Sequence, residues 1–176
     1  MTHPSAAEQV SARIHVIPDF PEKGIQFQDL TPVFADPAAF RVMSEALVAP
    51  FSGRFDILGG LEARGFIIAG GASILTGAGV LPVRKAGKLP RRVITETYEL
   101  EYGVASLEVH EDELPAGSRV LVIDDVLATG GTALAACRLI ERAGWRVAGV
   151  AVALELLGLG GREQLADYEV FSLLTA

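Results

Sequence analysis

The feature that most constrains the fold is a stretch of the chain, 119–144, that reads RVLVIDDVLATGGTALAACRLIERAG. It opens with four consecutive apolar residues, 120–123. Such a run suits a strand that is covered on both faces, as in a parallel sheet. Two adjacent acids, Asp124 and Asp125, end the run, and a small glycine-containing segment, 128–132, follows. Apolar residues then recur at roughly helical spacing up to a closing glycine that fits a helix C′ position. The stretch predicts a strand, a loop and a helix.

The loop in this stretch has the composition of an anion-binding site. Its residues are Ala128, Thr129, Gly130, Gly131 and Thr132. Glycines let the backbone approach a ligand and adopt positive φ. The N–H groups that a starting helix leaves unpaired point to a place where the helix dipole favours negative charge. The two threonine hydroxyls add donors for a phosphate monoester, while Asp124 and Asp125 could accept hydrogen bonds from sugar hydroxyls. A 5-phosphorylated ribose would bind the loop through its phosphate and the two acids through its hydroxyls.

A lone Gly-Gly turn is also found in ordinary strand-to-helix connections, where acids at the strand end are simply solvated. The absence of a Lys before the last Thr excludes a Walker A loop, and GxGxxG spacing is missing. The whole string VIDDVLATGGT, 122–132, resembles the phosphoribosyl diphosphate (PRPP) signature of type I phosphoribosyltransferases, in the form of the adenine phosphoribosyltransferase family. The resemblance implies a purine salvage enzyme that transfers the 5-phosphoribosyl group of PRPP to adenine, giving AMP and diphosphate.

The N-terminal segment 17–32 contains the string PDFPEKGIQFQD. Its prolines and glycine predict an irregular segment, and Phe27 could simply fill the core. The string is similar to the base-side segment of the same family, here placed at 1–34. That similarity implies that Phe27 stacks on the purine, which suits any flat base, while main-chain groups of Gln26 and Gln28 read its edge. Leu159 occupies the family's base-pocket position.

Two further segments carry the cations that a diphosphate would need. The string GGLEARG, 59–65, predicts a second strand-to-helix loop, and the run RKAGKLPRR, 84–92, is the basic segment of an acidic chain. Either could be a solvated loop. The first resembles the family loop that binds the diphosphate of PRPP, which implies that role for Arg64. The second resembles the mobile hood of the family, in which Lys88 is expected to bind the diphosphate, while Arg84 and Lys85 are expected either to serve the same site or to reach into a neighbouring subunit.

Alternating polar and apolar residues predict an antiparallel ribbon after the basic run, with a turn near Gly103. The string YELEYG, 98–103, matches the family motif at the base of a mobile hood, placed here at 84–110. The resemblance puts Glu101 and Tyr102 next to the active site. Family members that act on 6-oxopurines carry an Asp where this chain has Ala128, so Glu101 is the expected acid/base for the purine ring protons. The expected catalytic set is Glu101, Asp124 and Asp125.

The predicted architecture is α/β, with a central mostly parallel sheet flanked by helices in one domain, 1–176. Strands are expected near 55–59, 80–84, 120–124, 147–154 and 168–173. Helices are expected at 5–15 and after Asp36-Pro37, an N-cap acid followed by Pro at the first helical position. Ligands should bind at the carboxyl ends of the parallel strands.

Composition limits the partners and the location. The net charge of −7 argues against nucleic acid, and no apolar run reaches the roughly 18 residues of a membrane span. A mean hydropathy of +0.37 is high for a soluble monomer and favours a homodimer. A single cysteine, Cys137, excludes an internal disulfide and favours the cytoplasm. The expected cofactor is Mg²⁺ held mainly by substrate oxygens rather than by protein ligands.

Two rival functions stay open at this point. One is a phosphoribosyltransferase for another purine base, such as hypoxanthine or xanthine. The other is a non-catalytic PRPP-binding regulator on the same fold, which would need a nucleic-acid-binding surface that this acidic chain does not offer.

Overall fold

The structure is a computed structural model that describes residues 4–24, 26–99 and 103–176. The helices of this part of the chain are α1 Ala6–Ser11, α2 Thr31–Ala35, α3 Pro37–Val48, α4 Arg64–Thr76, α5 Gly131–Arg142 and α6 Gly161–Gln164, with a short 3₁₀ turn at Ala49–Phe51. The strands are β1 His15–Pro18, β2 Gln26–Asp29, β3 Ile57–Leu61, β4 Gly79–Lys85, β5 Val93–Glu99, β6 Val104–His110, β7 Arg119–Leu127, β8 Arg146–Glu155 and β9 Val170–Thr175.

Seven strands form one sheet in the order β5-β6-β4-β3-β7-β8-β9. Neighbouring strands in the run β4-β3-β7-β8-β9 are parallel. Strand β6 pairs antiparallel with both β4 and β5. The sheet alternates with helices along the chain and carries them on both faces, which confirms the predicted α/β class. The β1–β2 hairpin is a separate two-stranded sheet.

The central strand β7 is covered on both faces, as its apolar run predicts. Val120 and Val122 pack into the apolar layer formed with α5. Leu121 and Ile123 enter the opposite layer, formed with α3 and α4. All four side chains are fully buried, and full burial of such a side chain contributes roughly 1.5–3 kcal/mol. This burial holds β7, and therefore the acids at its end, in a fixed place.

Helix α3 begins where the sequence predicts. The Asp36 carboxylate accepts hydrogen bonds from the N–H groups of Ala38 and Ala39 at 2.9 and 3.1 Å, and Pro37 takes the first helical position. The strands predicted at 80–84, 120–124 and 147–154 are present and slightly longer. The first and last strands lie about two residues further along the chain than predicted, and α1 is shorter than the predicted 5–15.

The N-terminal segment 17–32 is more regular than predicted. Strands β1 and β2 pair antiparallel, with Ile17 opposite Phe27, and α2 follows them. Pro18 ends β1, and Pro32 lies in the first turn of α2, where a missing N–H is tolerated. The prediction of an irregular segment was wrong because it counted prolines without regard to their positions.

The ribbon formed by β5 and β6 is continuous with the main sheet. Strand β6 pairs with the end of β4, with Arg84 opposite Glu108 and Lys85 opposite Leu107. The antiparallel ribbon predicted from the alternating pattern is therefore present, and its first strand ends at Glu99. No helix in the described residues is both long enough and apolar enough to cross a membrane.

Candidate active site

The loops that follow β3, β7 and β8 all leave the same edge of the sheet, because these strands are parallel neighbours. In open parallel sheets this carboxyl edge is where ligands bind. The sequence motifs 59–65 and 124–132 both lie there, together with the loop that carries Leu159. The topology therefore brings three of the predicted site segments together.

The loop between β7 and α5 encloses a pocket of about 100 Å³. Its lining residues are Asp124, Val126, Leu127, Ala128, Thr129, Gly130, Gly131, Thr132, Ala133 and Val152. All five predicted phosphate-binding residues are among them. Gly130 is the N-cap of α5 with φ of 86°, so the first N–H groups of the helix are directed to the pocket region. The pocket is small, polar at its helix end and suited to a single phosphate group.

Gly130 is buried against another glycine, Gly161, at the start of α6. A Cβ on Gly130 would lie 2.7 Å from the carbonyl oxygen of Gly161, and a Cβ on Gly161 would lie 2.2 Å from that of Ala128. We call this contact between the two loop backbones the glycine interlock. By contrast, a Cβ on Gly131 would meet its nearest atoms at 3.7 Å, an ordinary contact. Glycine at 130 is required by the loop's own packing and positive φ.

The two acids at the end of β7 differ in their surroundings. Asp125 is buried, and the Arg64 Nε lies 2.8 Å from its Oδ2. Asp124 accepts a hydrogen bond from the N–H of Asp125 at 2.9 Å. Burial and the charge of Asp125 raise the pKa of Asp124 well above its usual range. Asp125 therefore holds Arg64 in place, and Asp124 borders the phosphate pocket as a carboxyl group that is costly to ionise.

Glu62 is a site residue that the sequence predictions missed. Its Oε2 accepts the N–H of Lys85 at 2.8 Å, and its Oε1 lies 3.5 Å from the Arg84 Nη2. These contacts, the Lys85 hydrogen bond first, hold the pKa of Glu62 below its usual range. The signal was present, because Glu62 is the acid of the LEARG string, but a sequence cannot show which cation an acid meets across two strands.

The predicted diphosphate-binding cations are only partly brought together. Arg84 donates a hydrogen bond to the carbonyl oxygen of Lys88 at 3.2 Å, and the Lys88 side chain is exposed. The Arg84 side chain therefore lies beside Glu62, while Arg64 at the start of α4 lies against Asp125 at the end of β7. Each arginine already has a carboxylate partner in the free protein.

The base-side residues lie on β2 and on the loop after β8. Phe27 is half-buried, with the Phe20 ring packed edge-on at a centroid distance of 5.2 Å. Gln26 and Gln28 are two residues apart in the strand, so their main-chain groups point to the same side. The Thr31 side chain and N–H, followed by weaker effects that include the Arg64 charge, lower the pKa of Asp29.

Two predicted residues cannot be placed in this way. Glu101 and Tyr102 lie outside the described residues, and their roles stay predictions. The neighbouring end of β5 is described: the Glu99 carbonyl oxygen and the Tyr98 ring both lie 3.7 Å from a Cβ built on Gly131. The motif that carries Glu101 therefore begins beside the phosphate loop. Leu159 is 49% exposed, which leaves its side chain available to a ligand.

Comparison with known proteins identifies the family of the chain. Residues 37–174 match the model of the phosphoribosyl transferase domain. The adenine phosphoribosyltransferase of Renibacterium salmoninarum is 59% identical over 96% of this chain and 93% of its own length. That of Clavibacter michiganensis is 54% identical over 99% of both chains.

Solved structures give the same result. The adenine phosphoribosyltransferase from Rhodothermus marinus superposes with a TM-score of 0.90 at 47% identity, covering 97% of this chain and 98% of that one. The Saccharomyces cerevisiae enzyme, solved with an iminoalditol bisphosphate and adenine, gives a TM-score of 0.90 at 38% identity over 96% and 98%. On its motifs, its fold and these similarities, the chain belongs to the phosphoribosyltransferase family, in its adenine phosphoribosyltransferase branch.

Proposed function

We propose that the protein catalyses the salvage of adenine, transferring the 5-phosphoribosyl group of PRPP to the purine to give AMP and diphosphate. The observation that carries the proposal is the preformed loop at the end of β7, where a phosphate-sized pocket adjoins two carboxylates. The two bacterial relatives named above, which are 59% and 54% identical to this chain over nearly its whole length, are both named adenine phosphoribosyltransferase.

The phosphate loop anchors the substrate by its 5′-phosphate. The N–H groups at the start of α5 and the hydroxyls of Thr129 and Thr132 donate to the phosphate oxygens. Asp124 and Asp125 then face the ribose, where they accept hydrogen bonds from its hydroxyls. Because the anchor is at one end of the sugar, C1 at the other end is held at a fixed distance from the base.

Loss of diphosphate leaves C1 with positive, oxocarbenium-like character. Burial and Asp125 raise the pKa of Asp124 in the free protein, and positive charge at C1 favours its ionised form. The carboxylates near the ribose then offset that charge, and fixed charges in a site without water are more effective than in solution. The leaving diphosphate is neutralised by Arg64, Lys88, Arg84 and Lys85. Glu62 and Asp125 hold the arginines in place before substrate arrives, so little reorganisation is needed when the bond breaks.

Magnesium belongs to this proposal as a substrate-bound ion. In the described part of the chain no three His, Cys, Asp or Glu residues cluster so as to hold a metal. The oxygen donors that do lie near the ribose site, Asp124 and Asp125, are a chemical match for Mg²⁺, which prefers oxygen ligands and retains several waters. The ion would neutralise diphosphate charge. Titrating Mg²⁺ at fixed PRPP, after chelator treatment, tests whether turnover requires it.

The purine is held by the N-terminal hairpin and the loop after β8. Phe27 stacks on the ring, Leu159 contacts it from the other loop, and main-chain carbonyls near Gln26 and Gln28 accept from the 6-amino group of adenine. Hypoxanthine would place an oxo group against these acceptors. A mismatch that leaves buried polar groups unpaired is able to give selectivity of about 10⁴ or more. Glu101 is the proposed group that handles the purine ring protons while N9 attacks C1.

The decisive experiment supplies radiolabelled adenine, hypoxanthine, guanine and xanthine separately with PRPP and measures the nucleotide formed. We expect adenine to exceed the other bases by at least three orders of magnitude in kcat/KM. Comparable use of hypoxanthine would replace the base assignment, and PRPP binding without turnover of any base would favour the regulator. Asp124→Asn should abolish most activity, whereas Asp56→Asn, at an exposed ion pair with Arg119, should not.

A homodimer is the proposed assembly. Ile74 and Ile67 on α4 are 87% and 47% exposed, and Val80 on the neighbouring strand β4 is 37% exposed. Two isoleucines one heptad apart on a helix face are the kind of apolar surface that a second subunit covers. Sedimentation velocity should give a dimer for the native chain and a shift towards monomer for Ile74→Glu.

A cytoplasmic location completes the proposal. Cys137, the single cysteine of the chain, is free and buried within α5, so the chain has no internal disulfide. Substrate chemistry agrees, since PRPP and AMP are cell-internal phosphates. Subcellular fractionation with an antibody against the chain tests the location directly.

A further inference from the structure

Strand β5 of the ribbon lies along helix α5 and contacts it at both ends. Near the helix N-terminus, the Tyr98 hydroxyl lies 3.2 Å from the Thr132 Oγ1. Near the C-terminus, Arg142 donates to the carbonyl oxygen of Thr95 at 2.6 Å and lies 2.7 Å from a carboxylate oxygen of the buried Glu96. The strand that leads into the YELEYG motif is therefore fixed to the helix that starts at the phosphate loop.

Of these contacts, only the first reaches the phosphate pocket. Thr132 lines the 100 Å³ pocket, and its hydroxyl is one of the donors assigned to the 5′-phosphate. Tyr98 lines a second, adjoining pocket of about 570 Å³, and Gly131 lies on the wall of both. The Tyr98 hydroxyl therefore approaches Thr132 from the ribbon side, while the first pocket lies on the loop side.

The chemistry of the two hydroxyls gives this contact a direction once phosphate is bound. A hydroxyl has one proton to donate and two lone pairs with which to accept. If Thr132 gives its proton to a phosphate oxygen, only a lone pair remains for Tyr98, so Tyr98 must be the donor. A donor to Thr132 also strengthens the hydrogen bond that Thr132 makes, because linked hydrogen bonds polarise one another.

We propose that Tyr98 is a positioning residue, which donates to Thr132 and so orients the threonine hydroxyl towards the 5′-phosphate of PRPP. The inference rests on the proposed function and deepens it, since it assigns the ribbon a part in binding the phosphate. Through the same contact, phosphate binding holds the end of β5 in place, and β5 leads directly to the segment that carries Glu101.

The test compares two substitutions of the same kind, at tyrosines whose hydroxyls contact the same helix, α5. Tyr98→Phe removes the hydroxyl that contacts Thr132. Tyr168→Phe, the matched control, removes a hydroxyl that contacts Glu141 of α5 at 3.1 Å, away from the loop. Both tyrosines are half-buried. We expect Tyr98→Phe to weaken PRPP binding about threefold to tenfold, the range for a neutral hydrogen bond, while the KM for adenine stays unchanged. Tyr168→Phe should change neither value.

A second pair of variants separates positioning from support of the fold. Threonine is stiff about χ1, whereas serine rotates more freely, so serine at 132 depends more on an external partner. Tyr98→Phe should therefore weaken PRPP binding more in a Thr132→Ser background than in the native chain. A merely structural role for Tyr98 predicts the same loss in both backgrounds.

Each outcome decides the matter. Equal PRPP affinity for Tyr98→Phe and Tyr168→Phe overturns the proposal. It is also overturned if Tyr98→Phe weakens the binding of PRPP and of adenine equally and lowers the melting temperature. PRPP affinity is read by calorimetric titration of the free protein, which needs no turnover. If the native chain binds PRPP but makes no AMP, the proposed function fails and Tyr98 is still tested. If it does not bind PRPP, both proposals fall.

Discussion

The two ends of the proposed PRPP site are built in different ways. The 5′-phosphate end is formed by backbone: a neutral loop whose shape is set by the glycine interlock between Gly130 and Gly161. The diphosphate end is formed by side chains, in which Arg64 and Arg84 already contact the acids Asp125 and Glu62. The first end is ready for its ligand in the free protein. At the second, the ligand has to compete with carboxylates for the same cations.

This difference suits the chemistry at each end. The 5′-phosphate is carried unchanged from substrate to product, so a rigid anchor is sufficient. The diphosphate gains charge as it leaves, so cations that are already held beside it stabilise the transition state more than the ground state.

Replacing Arg64 with alanine should affect the diphosphate end most. It removes a cation and leaves the buried Asp125 without its partner. We expect kcat/KM for PRPP to fall about 10²–10³-fold, together with a lower melting temperature, because an unpaired buried charge is costly. Steady-state kinetics and calorimetry measure the two effects. The Arg64→Ala/Asp125→Asn double variant should recover the melting temperature and not the activity; if the melting temperature stays low, the ion pair is not what stabilises this loop.

Lys88→Ala should lower kcat about 10- to 100-fold, the range for one charge-assisted hydrogen bond, with little change in KM for adenine. The side chain is exposed, so the melting temperature should hardly move. Arg92→Ala is the matched control, because Arg92 is an exposed cation of the same run that pairs with Glu111. Equal kcat values for the two variants would show that Lys88 is a solvated loop residue with no part in the reaction.

At the phosphate end, Gly130→Ala and Gly131→Ala should differ sharply. Alanine at 130 would have positive φ and would meet Gly161 at 2.7 Å, which together should cost about 2–4 kcal/mol. For a chain of this size, that lowers the melting temperature by roughly 4–16 °C. Alanine at 131 meets nothing closer than 3.7 Å and should leave the melting temperature within about 1 °C. Equal melting temperatures would contradict the interlock.

Asp124→Asn should stabilise the free protein while it impairs activity. The raised pKa of Asp124 means that the folded state holds its proton to a higher pH than the unfolded state does. Stability is therefore lost as pH rises from the unfolded pKa through the folded one. The asparagine, which can still accept the Asp125 N–H, should raise the melting temperature by about 2–4 °C at pH 8 and by less at pH 4. A gain independent of pH would assign the effect to something other than ionisation.

Local patterns in the sequence were sufficient to predict the main sheet and the phosphate loop. The run 120–123 is apolar because both faces of β7 are covered, and the Gly-Gly pair marks the point where α5 starts. These features depend on neighbours along the chain. The β1–β2 hairpin was missed because Pro18 and Pro32 were read as breakers, whereas their positions at element ends make them harmless.

The contacts between segments could not be predicted in the same way. Glu62 meets Lys85 and Arg84 from 22 or 23 residues away, and Tyr98 meets Thr132 across 34 residues. Nothing in the local sequence pattern selects these partners, because they are brought together by the places that β4 and β5 take in the folded sheet. The sequence therefore predicted which cations the site contains, but it did not predict that acids such as Glu62 contact them.

The glycine interlock has a consequence for how the family can diversify. The loop after β8 reaches the phosphate loop through backbone atoms of Gly161, while its outward side chains, Leu157 and Leu159, are 62% and 49% exposed. A library at these two positions would therefore alter the surface that is proposed to contact the base and leave the proposed phosphate loop unaltered. The side chains of this loop are therefore free to vary independently of the phosphate loop, and directed evolution towards new purine analogues should start at Leu157 and Leu159.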